Sequence, residues 1–212
     1  MPGHVITVAQ QKGGSGKTTM AVHLAVRFLS EGWSVAVLDT DPQGSLGRWF
    51  MARVDRTDGE PGMEFSTASA WGVGYEVGKL KRSHDLVVID TPPKADSDLR
   101  PALREADLAL VPVAASALDL WATESVLDLV DRTGRRALTV LNRARPGTRV
   151  HAEILSQVAE LPAQMAATAL HNRVIYAEAM GQGMGVTETA RRGPAAAEIT
   201  SLADEIATLL NG

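Results

Sequence analysis

Residues 12–19, KGGSGKTT, set two lysines, at positions 12 and 17, around glycines at 13, 14 and 16. Glycines so spaced let a backbone curl and aim its N–H groups at a single anion. A lysine directly after the last glycine can lay its charge against the β- and γ-phosphates of a nucleotide, and the hydroxyl of Thr18 can ligate Mg²⁺. Ser15 and Thr19 complete the run. Lys12 is unexplained by this chemistry alone.

The flanking residues give the loop its meaning. VITVAQ (5–10) precedes it as a short apolar run of strand type, and Ala21, Leu24, Ala25, Phe28 and Leu29 follow it with the stripe of a helix that ends at Gly32. A glycine-rich loop between a strand and a helix adds the positive N-terminal end of that helix to the anion site. Further apolar runs stand at SVAVLD (34–39), DLVVID (85–90), DLALVPV (107–113) and ALTVLN (137–142). Runs so short and so uniformly apolar predict strands covered on both faces, hence an α/β fold with a layered, mostly parallel sheet flanked by helices. SALDLWATESVLDLVDR (116–132) predicts a helix with Leu118, Trp121, Ser125 and Leu129 along one side. Ile199, Leu202, Ala203, Ile206, Leu209 and Leu210 predict a last amphipathic helix. RVDRTDGEPG (53–62) reads as an exposed loop.

Three carboxylates end predicted strands: Asp39, Asp41 and Asp90. In an open parallel sheet ligands sit at the carboxyl ends of the strands, where the phosphate loop also lies. Asp90 follows four apolar residues, as suits the acid that holds the Mg²⁺ shell, and Asp39 is a second partner of that shell. Asp41 can orient an attacking water, or it can brace a turn before Pro42.

With 212 residues, 45% of them hydrophobic, the chain can bury a sizeable core and is read as a single domain, 1–212. The absence of cysteine excludes disulfides, thiolate metal sites and iron–sulfur ligation. MPGHVITVAQ lacks the pattern of a signal peptide, and no run has the roughly 20 apolar residues of a membrane span. A cytoplasmic protein is expected. The formal net charge of −4 means that any nucleic-acid contact must come from a local basic patch.

The general phosphate-loop pattern has a glycine five residues before Gly16, where this chain has Gln11 followed by Lys12. That variant resembles the deviant Walker A motif of the ParA/MinD family of P-loop ATPases. VLDTDPQGS (37–45) and LVVIDTPP (86–93) look like the family's second motif and its Walker B strand. LHNRVIYAEAMGQG (170–183) is similar to the C-terminal segment of short ParA proteins that lack an N-terminal DNA-binding extension. The resemblance implies hydrolysis of ATP with Mg²⁺, with Lys12 reaching the nucleotide held by a second copy in an ATP-dependent homodimer. It implies that Asp41 is the catalytic carboxylate, and that Asn142 and the 171–175 stretch hold adenine.

The same resemblance implies non-specific DNA binding through Arg173, Arg191 and Arg192, association with the nucleoid, and a ParB-like or other activating partner protein. The last predicted helix carries Glu198, Asp204 and Glu205 without lysine or arginine, so a direct membrane anchor of the MinD kind is not expected. A MinD-like membrane-associated spatial regulator is one alternative expectation, and a synthetase of the dethiobiotin or cobyrinate type is the other. It would need a substrate pocket for which little chain remains.

Overall fold

The computed structural model describes residues 3–93, 96–114, 117–147 and 149–212. Eight strands form one sheet: β1 (His4–Val8), β2 (Val35–Asp39), β3 (Glu64–Thr67), β4 (Leu86–Asp90), β5 (Leu108–Ala114), β6 (Arg136–Ala144), β7 (Gln164–Met165) and β8 (Leu170–His171). The order is β3-β2-β4-β1-β5-β6-β7, with β8 also paired to β6, and every described pairing is parallel. The helices are α1 (Lys17–Ser30), α2 (Ser45–Arg56), α3 (Val73–Leu80), α4 (Asp96–Glu105), α5 (Ala117–Arg132), α6 (Arg149–Ala159), α7 (Val174–Gly181), α8 (Val186–Thr189) and α9 (Pro194–Asn211).

Alternation along the central strands divides the core. Ile6, Val8, Val37 and Val88 face a cluster built by α1, α2, α7, α8 and α9, whereas Val5, Leu38, Val87 and Ile89 face α3 and α4. Ala109 and Val111 of β5 meet α4 and α5 on that second side. Both faces are thus covered, which is why these strands read as continuous apolar runs. Register then aligns their ends: Asp39 pairs with Asp90, and Asp90 with Val8, the last strand residue before the loop. Three distant segments of sequence are brought to one edge.

Two local expectations need correction. In α5, Trp121 is 65% exposed and Ser125 also faces out, while Leu120, Thr123, Val126, Leu127 and Val130 turn inward with Leu129. The side chain of Leu118 lies outside the described residues. The segment 53–62 is not all loop, because α2 continues to Arg56 and Arg53 is only 4% exposed. The strands β3, β7 and β8 were not anticipated. In the last helix, Ile199, Leu202, Ala203, Ile206 and Leu210 pack into the core as their spacing predicts. Among the described residues no helix is long and apolar enough to cross a membrane.

Candidate phosphate and metal site

The loop that joins β1 to α1 is fixed at its start by Gln10. This residue is fully buried, and its Nε2 donates to the Pro112 carbonyl at 3.1 Å and to Thr123 Oγ1 at 3.0 Å. Its Oε1 accepts the Gln11 N–H at 2.9 Å. Nothing in the neighbouring residues announces this anchor, since a glutamine after a strand is ordinary. Farther on, Gly14 and Gly16 take φ of 74° and 93°, the left-handed region that favours glycine. Gly13 does not, so the conformational demand falls on two of the three glycines. A Cβ at Gly16 would also clash with Asn142 Nδ2.

Lys17 opens α1 and is 6% exposed, with its Nζ against the Lys12 carbonyl at 3.5 Å. Burial lowers its pKa, and the carboxylates of Asp90 and Asp41 oppose that shift. A buried ammonium inside a curl of backbone N–H groups calls for an anion. Ser15 Oγ is likewise buried without a partner. Lys12 is half-buried, and Thr19 lies half-buried on the first turn of α1.

Thr18 Oγ1 donates to Asp90 Oδ2 at 2.6 Å. The other oxygen, Asp90 Oδ1, is buried and has no partner, and burial pushes this carboxyl up to about 7 against the restraint of the Thr18 bond. Nearby charge on Asp39 raises it further. A carboxylate so starved of solvation, with one oxygen open and a hydroxyl beside it, fits a hard divalent cation with oxygen ligands. Thr18 and Asp90 would hold Mg²⁺ there.

Asp39 is differently engaged. Its Oδ1 accepts the Asp41 N–H at 3.0 Å and its Oδ2 accepts the Gly47 N–H at 3.1 Å, so it ties the 40–44 turn to the first turn of α2. Burial raises its pKa, and these backbone bonds pull it back. Asp41 Oδ1 accepts the Gln43 N–H at 2.9 Å, and among the described residues the second oxygen of its half-buried carboxyl has no hydrogen bond. Bracing the turn and facing the site are therefore compatible for Asp41.

Asn142 ends up beside the loop, where Nδ2 donates to the Ser15 carbonyl at 2.7 Å and Oδ1 accepts the Arg143 N–H at 3.0 Å. Arg143 has φ of 54°, a left-handed turn in a residue with a side chain. Lys12, Ser15, Lys17, Thr18, Asp39, Asp41, Asp90 and Asn142 thus share one edge of the sheet. Of the three arginines, Arg173 lies two residues past the carboxyl end of β8, which pairs with Asn142 and Ala144 of β6. Arg173 is bound to Glu198 Oε1 through Nε at 2.8 Å and through a terminal nitrogen at 2.7 Å, whereas Arg191 and Arg192 are exposed beyond α8.

Two buried polar clusters escaped sequence reasoning. Arg53 forms a two-pronged pair with Glu188 at 2.9 and 3.0 Å and also donates to the Pro61 carbonyl. His23 of α1 accepts the Val186 N–H on Nδ1, so Nε2 carries the proton and faces the Tyr176 carbonyl at 3.2 Å. Together they clamp α1 and α2, which flank the site, to the C-terminal segment. Partners this far apart in sequence leave no local signal.

The sequence profile of the CobQ/CobB/MinD/ParA nucleotide binding domain matches residues 6–186. Maintenance of carboxysome distribution protein A of Halothiobacillus neapolitanus is 30% identical over 97% of this chain and 94% of its own length. The septum site-determining protein MinD of Pyrococcus horikoshii, solved with Mg-ADP, superposes with a TM-score of 0.82 at 17% identity, covering 97% of this chain and 96% of that one. An ATP complex of a Cyanothece McdA variant gives 0.78 at 17% identity over 99% of this chain and 96% of its own. The profile and the near full-length relative agree: the chain belongs to the CobQ/CobB/MinD/ParA family of nucleotide-binding domains.

Proposed function

We propose that the protein is a ParA-type ATPase that hydrolyses Mg-ATP, forms ATP-dependent homodimers on non-specific DNA, and uses the cycle to segregate or position a cargo. The observation that carries this reading is the convergence of Lys17, Thr18 and the half-unpartnered Asp90 on a loop that also contains Lys12. Lys17 stabilises charge on the transferring phosphoryl group, Mg²⁺ held by Thr18 and Asp90 would supply further positive charge there, and Asp41 orients the attacking water. Lys12 acts on the nucleotide of the second copy, so turnover waits on dimerisation. Asn142 retains one N–H for the adenine base.

The relatives support the cargo side of the reading, because a similar chain is named for carboxysome distribution. Arg191 and Arg192 are the preferred DNA contacts, being exposed, whereas Arg173 must first part from Glu198. The partner that stimulates hydrolysis is a ParB-like or equivalent protein. The deciding experiment is a DNA mobility shift with ATP, with ADP and without nucleotide, repeated with Arg191 and Arg192 both changed to alanine. A shift that needs ATP, and whose salt dependence flattens in the double variant, is expected. Binding that ignores the nucleotide defeats the reading.

A further inference from the structure

The ladder between β1 and β5 ends in an exchange of main chain for side chain. Val8 stands opposite Leu110, and the Ala9 N–H donates to the Leu110 carbonyl at 2.9 Å. In a parallel pair the same bond recurs two residues on, so the next one would join the Gln11 N–H to the Pro112 carbonyl. Both groups are taken by Gln10 instead. Its Nε2 donates to the Pro112 carbonyl at 3.1 Å, and its Oε1 accepts the Gln11 N–H at 2.9 Å. One carboxamide thus occupies the place of a main-chain hydrogen bond. The bond between these two positions is lost as well, because proline at 112 has no N–H to give the Ala9 carbonyl.

Few side chains could do this. Gln10 is buried, and its second N–H donates to Thr123 Oγ1 at 3.0 Å, which fixes the plane of the amide. Asparagine is a methylene shorter, and a glutamate carboxylate has no hydrogen for the Pro112 carbonyl. Leucine fills the volume but leaves two buried main-chain groups to find each other, which would carry β1 one bond farther along β5. Lys12 would then leave from the end of a strand and not from a turn.

We propose that Gln10 is a positioning residue for Lys12: its carboxamide parts the main chain from β5 and so aims the first residues of the nucleotide loop. Both its N–H groups and its carbonyl are engaged by the protein, so it acts through the loop and not on the nucleotide. The later part of the loop is held separately, since Asn142 Nδ2 donates to the Ser15 carbonyl at 2.7 Å. Loss of the Gln10 amide therefore disturbs residue 12 and spares the phosphate cradle. The consequence for turnover rests on the proposed cross-subunit role of Lys12; the placement of residue 12 does not.

The chain has no cysteine, so Lys12→Cys installs a single thiol that reports on its own position without nucleotide. Adding Gln10→Leu should change the rate of its reaction with N-ethylmaleimide by about threefold or more, because exposure and local charge set thiol reactivity. Thr123→Val takes one bond from the same amide but leaves its hold on Pro112 and Gln11, and should not change the rate. Urea unfolding of each variant is measured alongside. An unchanged rate with Gln10→Leu overturns the assignment. Equal changes in the two variants also overturn it, since lost stability would then be what the thiol reads.

With Lys12 retained, Gln10→Leu should lower both kcat and ATP-dependent dimerisation by about tenfold or more, while ADP affinity stays within about threefold. A fall in ADP affinity as large as the fall in kcat refutes the separation of residue 12 from the cradle. If the unsubstituted protein shows no turnover, or Lys12→Ala turns over ATP normally, the functional reading of Lys12 fails. The thiol rates then still uphold or defeat the role of Gln10.

Discussion

The Thr18 hydroxyl sits 2.6 Å from Asp90 Oδ2, joining the first turn of α1 to the last residue of β4. Both groups are oxygen donors suited to Mg²⁺, and Asp90 Oδ1 is left without a partner. Thr18→Val and Asp90→Asn should each weaken Mg-ATP binding by roughly tenfold or more, while binding measured in EDTA changes little. Calorimetric titration with and without metal checks this. Equal weakening under both conditions would mean that the pair serves the fold and not the cation.

Lys12 and Asp41 are expected to separate binding, assembly and chemistry. Lys12→Ala should bind ATP within a few-fold of the unsubstituted protein yet remain a monomer in sedimentation. Asp41→Ala should persist as an ATP dimer, with turnover down by on the order of a hundredfold. A Lys12→Ala protein that dimerises with ATP removes the cross-subunit role.

Asp39 spends both carboxylate oxygens on backbone N–H groups, one of them that of Asp41. Asparagine in its place keeps the volume but turns an NH₂ toward one of those donors. We expect Asp39→Asn to lower kcat by roughly tenfold and stability by about 1–2 kcal/mol, with nucleotide affinity nearly unchanged. A loss confined to Mg²⁺ affinity would return Asp39 to the metal shell, as its place at a strand end first suggested.

Arg53 and Glu188 are 135 positions apart and meet through two hydrogen bonds beside the buried end of α2. Glu188→Ala strands the Arg53 charge in a site where it is 4% exposed, at a cost of about 3 kcal/mol. Replacing both, Arg53→Met with Glu188→Leu, should recover most of that stability in urea unfolding. If the single change costs less than about 1 kcal/mol, the clamp is not holding α2.

His23 titrates at about 4 in the fold against 6.5 for the free side chain, chiefly because it is buried; the Tyr176 carbonyl and the Glu188 charge oppose the shift. The unfolded chain binds the proton first. Stability from this group is therefore full above pH 6.5 and lost as pH falls toward 4, by about 2 kcal/mol at pH 5. Urea unfolding at pH 7.5 and 5 should show this loss, and His23→Gln should lack that part of it. Parallel behaviour of the two proteins would locate the acid sensitivity elsewhere.

Sequence alone determined the central strands and marked out the candidate phosphate loop and metal acid, because each is written in neighbouring residues. KGGSGKTT needs no distant partner to be recognised, and a strand covered on both faces announces itself by unbroken apolar residues. The edge strand β3 went unseen because its half-exposed EFST has no such run. Tertiary structure decided whatever depends on who meets whom. It buried Arg53 by supplying Glu188, turned Trp121 outward against its apolar character, and assigned Asp39 to the backbone of the next turn. Burial of a charge is settled by the partner that compensates it, and no local pattern names a partner 135 residues away.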